Sequence, residues 1–394
     1  MAGLWRKLPP LMADNFGFIE VINQTEGMGI IDDCSEYRTT RERKRRTQHS
    51  DIRVVHTEMN SEDVIRGTEA KVLKTFENYQ SIYNPQFVLL SAGPCSAMIG
   101  TDLEQAAEKI EQASTIRTAA VKLSGQGKYD TGISETLLAL VKLLEKAEKM
   151  EDGCINILGA TNLDWQENNT EKIREWIEQE GSHVIANLGG KENTSNIEKA
   201  AKASMNLVVS VSGISAAKYL EKEYGTPYMI WAPFGKTCAE KMFSALHKKE
   251  ILNIQKEHQN SSCADKNKRK EKVLIIGEQV MSNAIRETLH EDYGYFNIQV
   301  CTFYMFEKSI ACSGDRRIRS EEDAEKLLRE NEYQIIIADP LLRKLSTSSN
   351  CIWIDLPHKA FALYGEVQKL PSLLGENLNK WMEKQWKAAG CDLN

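Results

Sequence analysis

The sequence predicts an α/β protein made of three Rossmann-like parallel-sheet units, and three observations carry that prediction. Short apolar runs of strand length alternate with amphipathic runs of helix length along most of the chain, an order that calls for parallel strands joined by right-handed crossovers. Clusters of Gly and Pro fall just past the strand runs, at Gly93-Pro94, Gly125-Gln126-Gly127, Gly189-Gly190 and Pro233-Phe234-Gly235. These are the carboxyl ends of strands, where open α/β sheets collect ligands. A polar, highly charged stretch at 253–271 then reads as a linker. The expected units are residues 1–150, 151–252 and 272–394.

In the first unit a Pro-containing entry leads to a short helix at 17–24 and a turn at 26–29. A brief strand at 30–32 delivers Cys34 at its carboxyl end. Strands follow at 54–57, 87–90 and 118–123, with helices at 62–79, 101–112 and 134–149. The second unit reads as strands at 154–159, 183–188, 206–211 and 227–231, with helices at 170–180, 196–203 and 214–223. The third reads as strands at 272–276, 298–303, 333–338 and 351–355, with helices at 280–290, 321–329 and 376–387. No short internal repeat appears.

Bulk properties narrow the function. A chain of 394 residues has room for two or three domains, and its hydrophobic and charged fractions, 41% and 27%, are those of a globular protein in water. The net charge of −6 argues against a nucleic-acid binder that relies on overall charge. No window approaches the ~18–20 apolar residues of a membrane span. Arg6, Lys7, Pro9, Pro10 and Asp14 interrupt any signal-peptide core, so a cytoplasmic protein is expected. No phosphate-loop lysine motif and no complete Gly-x-Gly-x-x-Gly occurs, so no nucleotide site is expected. The nine cysteines are scattered without regular spacing, a poor disulfide framework for a chain of this length. By default each is a small buried hydrophobe.

Cys34 and Cys95 rise above that default. Gly93-Pro94-Cys95-Ser96 follows the apolar run 87–90 and opens into Ile99-Gly100-Thr101-Asp102, which sets a thiol between a strand end and a helix start. Backbone N–H groups and the helix dipole favour a thiolate in that position. A basic run from Arg38 to Arg46 lies next to Cys34. It reads either as a solvated loop or as a cationic rim that attracts an acidic redox partner or an anionic substrate.

The Cys95 turn resembles the cysteine turn of the nitrogenase component 1 family. Asp33-Cys34-Ser35-Glu36-Tyr37-Arg38 is similar to that family's earlier cysteine turn, and Asn206-Leu207-Val208-Val209 with Glu223-Tyr224-Gly225-Thr226-Pro227-Tyr228 resembles its central strand and helix end. The resemblance implies a [4Fe–4S] cluster shared between two chains, each giving Cys34 and Cys95 as metal ligands, with Gly93 and Ser210 beside the cofactors. The chain would be a homodimer or pair with a paralogous subunit. It would take electrons from an ATP-dependent reductase similar to the nitrogenase iron protein and pass them to a small-molecule substrate.

Three positions depart from the family. The first cluster cysteine falls on Ala13, and Cys95 is offset by one residue. The cysteine that holds the large nitrogenase cofactor falls on Ser210, a poor iron ligand, so nitrogen fixation is not expected. The histidine position falls on His358, a candidate proton donor. Lys128 and Tyr129 join it as candidate catalytic residues, and Lys122, Ser124, Gln126 and Ser212 are further polar candidates for the crevice. Two other readings stay open: a non-catalytic scaffold or carrier of the same fold, and a small-molecule binding protein whose cluster site has degenerated.

Overall fold

The computed structural model describes residues 5–34, 53–144, 151–252, 269–330, 333–346, 351–361 and 369–390. The basic run 38–46 and most of the 253–271 stretch lie outside them. The described residues form three separate parallel sheets flanked by helices.

In the first sheet β1 (Met28–Asp32), β2 (Val54–His56), β3 (Phe87–Ala92) and β4 (Arg117–Val121) run in the order β2-β1-β3-β4. Its central strands are apolar on both faces, as a covered parallel sheet requires. In β3, Val88 and Leu90 enter a small core with Val72, Phe76, Leu103 and Ile110, whereas Phe87 and Leu89 face the main core. That alternation is the two-residue period of a strand. The main core continues through the other two units.

Helix α1 (Asp14–Asn23) packs on the first sheet, and the 62–79 region forms two helices, α2 (Ser61–Arg66) and α3 (Glu69–Tyr83). Gly67, at φ +89°, breaks between them. Asn60 caps α2 by accepting from the N–H groups of Glu62 and Asp63, while the Asp63 side chain accepts from the Asn60 N–H in return. The helix expected at 101–112 is α5 (Leu103–Ser114), capped by Asp102, and a short helix α4 (Pro94–Ile99) precedes it. Pro94 fits the first turn of α4, where its missing N–H costs nothing, and Gly100 ends it in the left-handed conformation. Helix α6 (Tyr129–Lys142) begins five residues earlier than the 134–149 pattern. It crosses α1 at glycines: a Cβ on Gly17 would sit 2.0 Å from the Tyr129 carbonyl oxygen, and one on Gly132 would sit 1.9 Å from that of Asp14.

The second sheet, in order β6-β5-β7-β8, contains β5 (Glu151–Leu158), β6 (His183–Leu188), β7 (Ala203–Val208) and β8 (Tyr228–Ile230). Strand β7 ends at Val208, three residues before the expected 206–211 boundary, and this leaves Ser210 in the turn beyond it. Two single-turn helices, Asn162–Trp165 and Glu167–Thr170, precede α7 (Ile173–Gln179), followed by α8 (Thr194–Lys199) and α9 (Ile214–Tyr224). The sequence reading assigns nothing to 236–252, yet α10 (Lys236–Lys248) fills most of it and buries Cys238, Ala239, Met242 and Phe243.

The third sheet, in order β11-β10-β9-β12-β13, begins with β9 (Arg269–Ile276) and continues with β10 (Tyr295–Thr302), β11 (Arg316–Arg317), β12 (Ile335–Ala338) and β13 (Ile352–Asp355). Helices α11 (Gln279–Tyr293), α12 (Glu321–Glu330) and α13 (Asn377–Ala388) accompany it. Arg286 of α11 is buried against Asp315, whose oxygens also accept from the N–H groups of Val300 and Cys312. Among the described residues no helix is long and apolar enough to cross a membrane.

Candidate metal centre and central crevice

The end of β1 organises the first site. Asp32, buried where β1 stops, accepts hydrogen bonds from the hydroxyls of Thr57, Thr68 and Ser96 at 2.6–2.7 Å. One carboxylate therefore ties the turn after β2, the start of α3 and the first turn of α4 to a single point. Asp33 comes next, and its Oδ1 accepts the Cys95 N–H at 3.2 Å and lies 3.8 Å from Cys34 Sγ. The two thiols are 3.0 Å apart, and both cysteines are partly exposed. Gly93 is required here for space: a Cβ would stand 2.2 Å from Asp33 Oδ2. Behind the turn, Gly125 packs on the Pro94 ring, and the 124–127 loop donates the N–H groups of Ser124 and Gly127 to Asp14.

The electrostatics of this corner oppose a Cys95 thiolate while no cation is present. The Cys95 thiol is pushed up to about 12 by loss of solvent, its hydrogen bond with Cys34 and the negative Asp33. Burial raises the Asp33 carboxyl as well. A bound cation inverts this balance, because it stabilises the thiolates and the carboxylate together. The donor set, two thiols and a carboxylate with ligand atoms within 4.8 Å of one another, suits iron or another thiophilic metal. With metal–sulfur bonds of about 2.3 Å, two thiolates on one tetrahedral ion stand about 3.8 Å apart. Thiols at 3.0 Å must therefore turn outward about their side-chain torsions to accept metal.

Sequence reasoning brought Cys34, Cys95 and Gly93 to one place and missed Asp33, although Asp33 directly precedes Cys34 in the chain. Ala13, at the first cysteine position, stands just before the start of α1 and bridges to Lys128.

A second constellation is buried where strand ends of the second and third sheets meet the start of α6. Tyr129 donates to Asp164 Oδ1 at 2.6 Å, and His358 Nε2 lies 3.3 Å from both that oxygen and the Tyr129 hydroxyl. His358 Nδ1 accepts the Ala360 N–H, so in the neutral ring the proton belongs on Nε2. The His358 N–H donates to Asp339, and the Tyr304 ring stacks on the imidazole at 4.5 Å. Burial drives the Tyr129 and Tyr304 hydroxyls well above their ordinary range. Burial, aided by Asp164, pushes the Glu278 carboxyl up to about 8, although Glu278 accepts the N–H groups of Val211 and Met281.

Of the other candidates, Lys128 donates to the Phe303 carbonyl, and burial lowers its ammonium below the ordinary lysine value. Ser210 is fully buried, hydrogen-bonded to Ser212, and so close to Gly159 that a Cβ there would lie 2.7 Å from its Oγ. Lys122 faces outward toward Glu104, and Gln126 is exposed. The structure thus joins His358 and Tyr129 and leaves Lys128 on a separate contact. Asp164, Glu278 and Tyr304 carried no sequence signal.

Comparison with known proteins agrees with this architecture. The chain is 30% identical over 193 residues to the nitrogenase iron-molybdenum cofactor biosynthesis protein NifE of Methanosarcina barkeri, covering 45% of this chain and 41% of that protein. It is 23% identical over 301 residues to a subunit of the light-independent protochlorophyllide reductase of Nostoc punctiforme, covering 66% of this chain and 57% of that one. The matched region thus spans about two fifths to three fifths of these relatives. A solved structure described as nitrogenase Cp1 at pH 6.5 superposes with a TM-score of 0.72 over 98% of this chain and 94% of its own, at 14% identity, a likeness of fold. The model of the nitrogenase component 1 type oxidoreductases matches residues 33–338, well over half of the sequence, and the chain belongs to that family.

Proposed function

We propose that this chain is a subunit of a nitrogenase-like oxidoreductase that holds a [4Fe–4S] cluster through Cys34 and Cys95 at an interface with a second chain. The observation that carries the reading is the meeting of the two thiols and the Asp33 carboxylate at one partly exposed corner. Two thiolates are half of the usual complement for such a cluster, so a partner, either a copy or a paralogue, supplies the rest. Val64, Ile65, Met98 and Ile99 leave an apolar rim on α2 and α4, beside the cysteine turn, that suits burial against a partner.

When bound, the cluster supplies one-electron transfer. Asp33 orients the Cys95 turn and offers an oxygen donor. His358 and Tyr129 hold protons on Nε2 and the phenolic oxygen against Asp164, and Lys128 anchors the Phe303 segment. Electrons would come from an ATP-dependent reductase similar to the nitrogenase iron protein, and the acceptor would be a small molecule.

The test is anaerobic purification with iron and visible-absorbance measurement. About four irons per dimer and a brown colour support the reading. Cys34→Ala should lose the colour and keep the fold, and full iron retention in that variant would remove Cys34 from the site.

A second reading, a scaffold or carrier for a metal cofactor made elsewhere, is favoured by the likeness to NifE. It is also favoured by Ser210 standing where a thiolate would hold a large cofactor, with both ring nitrogens of His358 already engaged. Turnover with a matching reductase and ATP separates the two: product formation supports the first reading, and loading without turnover supports the second.

A further inference from the structure

We infer that in the metal-free chain Cys34 and Cys95 are a reversible dithiol–disulfide pair, a site of covalent modification that excludes metal while it is closed. The inference uses the residues of the proposed centre without depending on the cluster reading.

Geometry is its ground. A disulfide bond is about 2.05 Å long, so sulfurs 3.0 Å apart need approach by only about 1 Å. That separation falls between the bond length and the ~3.8 Å of two thiolates on one ion, so the same pair can close on itself or open onto metal. The backbones that carry the sulfurs are already pinned. Cys95 N–H donates to Asp33, Gly93 N–H donates to the Asp32 carbonyl at 2.9 Å, and the Ser96 hydroxyl donates to the Asp32 side chain. Closure therefore starts from a Cys95 turn already held against the end of β1. Cys34 and Cys95 are partly exposed, as are Cys312 and Cys351, whereas Cys154, Cys238 and Cys301 are buried; what sets the pair apart among the described residues is that its two thiols lie against each other.

The chemistry balances with a low-molecular-weight disulfide as oxidant. One cysteine thiolate attacks a sulfur of oxidised glutathione, forms a mixed disulfide and releases one glutathione thiolate. The second cysteine gives its proton to solvent and attacks the protein sulfur of that mixed disulfide, which releases the second glutathione. The two protein sulfurs lose two electrons, and these reduce the oxidant to two thiols. A dithiol reductant runs the sequence backward.

The full chain, stripped of metal, reduced and desalted, is treated with oxidised glutathione and followed by free-thiol titration, intact mass and peptide mapping. The expected result is the loss of the thiols of residues 34 and 95, with no glutathione retained on either and a cross-link joining their peptides, reversed by dithiothreitol. Cys34→Ser and Cys95→Ser should each instead keep one glutathione on the remaining cysteine. A stable glutathione adduct on the wild-type pair, unchanged thiols at both positions, or a cross-link to a different cysteine overturns the inference. Iron uptake is measured separately on the re-reduced chain. A protein that cross-links yet takes up no iron leaves this inference standing and sinks the cluster reading, and the opposite pattern does the reverse.

Discussion

The Asp33 carboxylate rests against the Cα of Gly93, so residue 93 has no room for even one methyl group. Its φ of −89° is open to any residue, and the demand is one of space. Gly93→Ala should push the carboxylate away from the Cys95 N–H and lower iron retention several-fold. The stability loss should be about 1–3 kcal/mol, as for overpacking elsewhere. Iron per chain and urea unfolding measure the two effects, and unchanged iron would mean that Asp33 does not shape the site.

A second prediction concerns pH. Burial raises the folded-state value of Glu278 from 4.5 to about 8, which favours its protonated form. Its contribution to stability is therefore complete below about pH 4.5 and is lost as pH climbs through about 8. Glu278→Gln should flatten the stability profile within that window. Infrared difference spectra should show a protonated-carboxyl band in the wild type that fades near pH 8 and is absent from the variant. A wild-type profile parallel to that of the variant would contradict the assignment.

The crossing of α1 and α6 gives a third. Because Gly17 faces the Tyr129 carbonyl at a distance no real Cβ tolerates, Gly17→Ala should cost about 3 kcal/mol and disturb the Tyr129–Asp164 bond at the head of α6. Urea unfolding reads the first effect. The tyrosine's ultraviolet difference spectrum reads the second.

The Arg286–Asp315 pair supplies the fourth. Both side chains are nearly inaccessible, and removal of either leaves the other charge stranded. Arg286→Ala should cost about 3–5 kcal/mol, and replacing both partners with apolar residues of similar volume should cost markedly less. A double-mutant cycle by urea unfolding decides between additive and coupled losses.

The sheets were largely legible because buried parallel strands leave unbroken apolar runs, as at 87–90 and 273–276, and the helices between them carry a 3.6-residue period. Legibility failed where local chemistry outweighed pattern. Gly67 splits a run that is periodic on both sides, and Pro94 starts a helical turn that is too short to show a period. Helix α10 was missed with its apolar face of Cys238, Ala239, Met242 and Phe243 in plain view. At the site, Cys95 was visible because a thiol in a Gly/Pro turn is unusual, and Cys34 because it follows a strand end in a stretch that resembles the family's earlier cysteine turn. Asp164, Glu278 and Tyr304 were invisible because their meeting depends on how three sheets are set against one another, which no short stretch encodes.

Lys128 and Asp130, at the first residues of α6, both grip the segment that leaves β10, through the Phe303 carbonyl and the Met305 N–H. The third sheet therefore cannot swing outward without dragging the helix that bears Tyr129. Exposing the buried Tyr129–Asp164–His358 cluster thus requires the two segments to move together, and amide hydrogens at 129–133 and 303–305 should exchange with deuterium at a common rate.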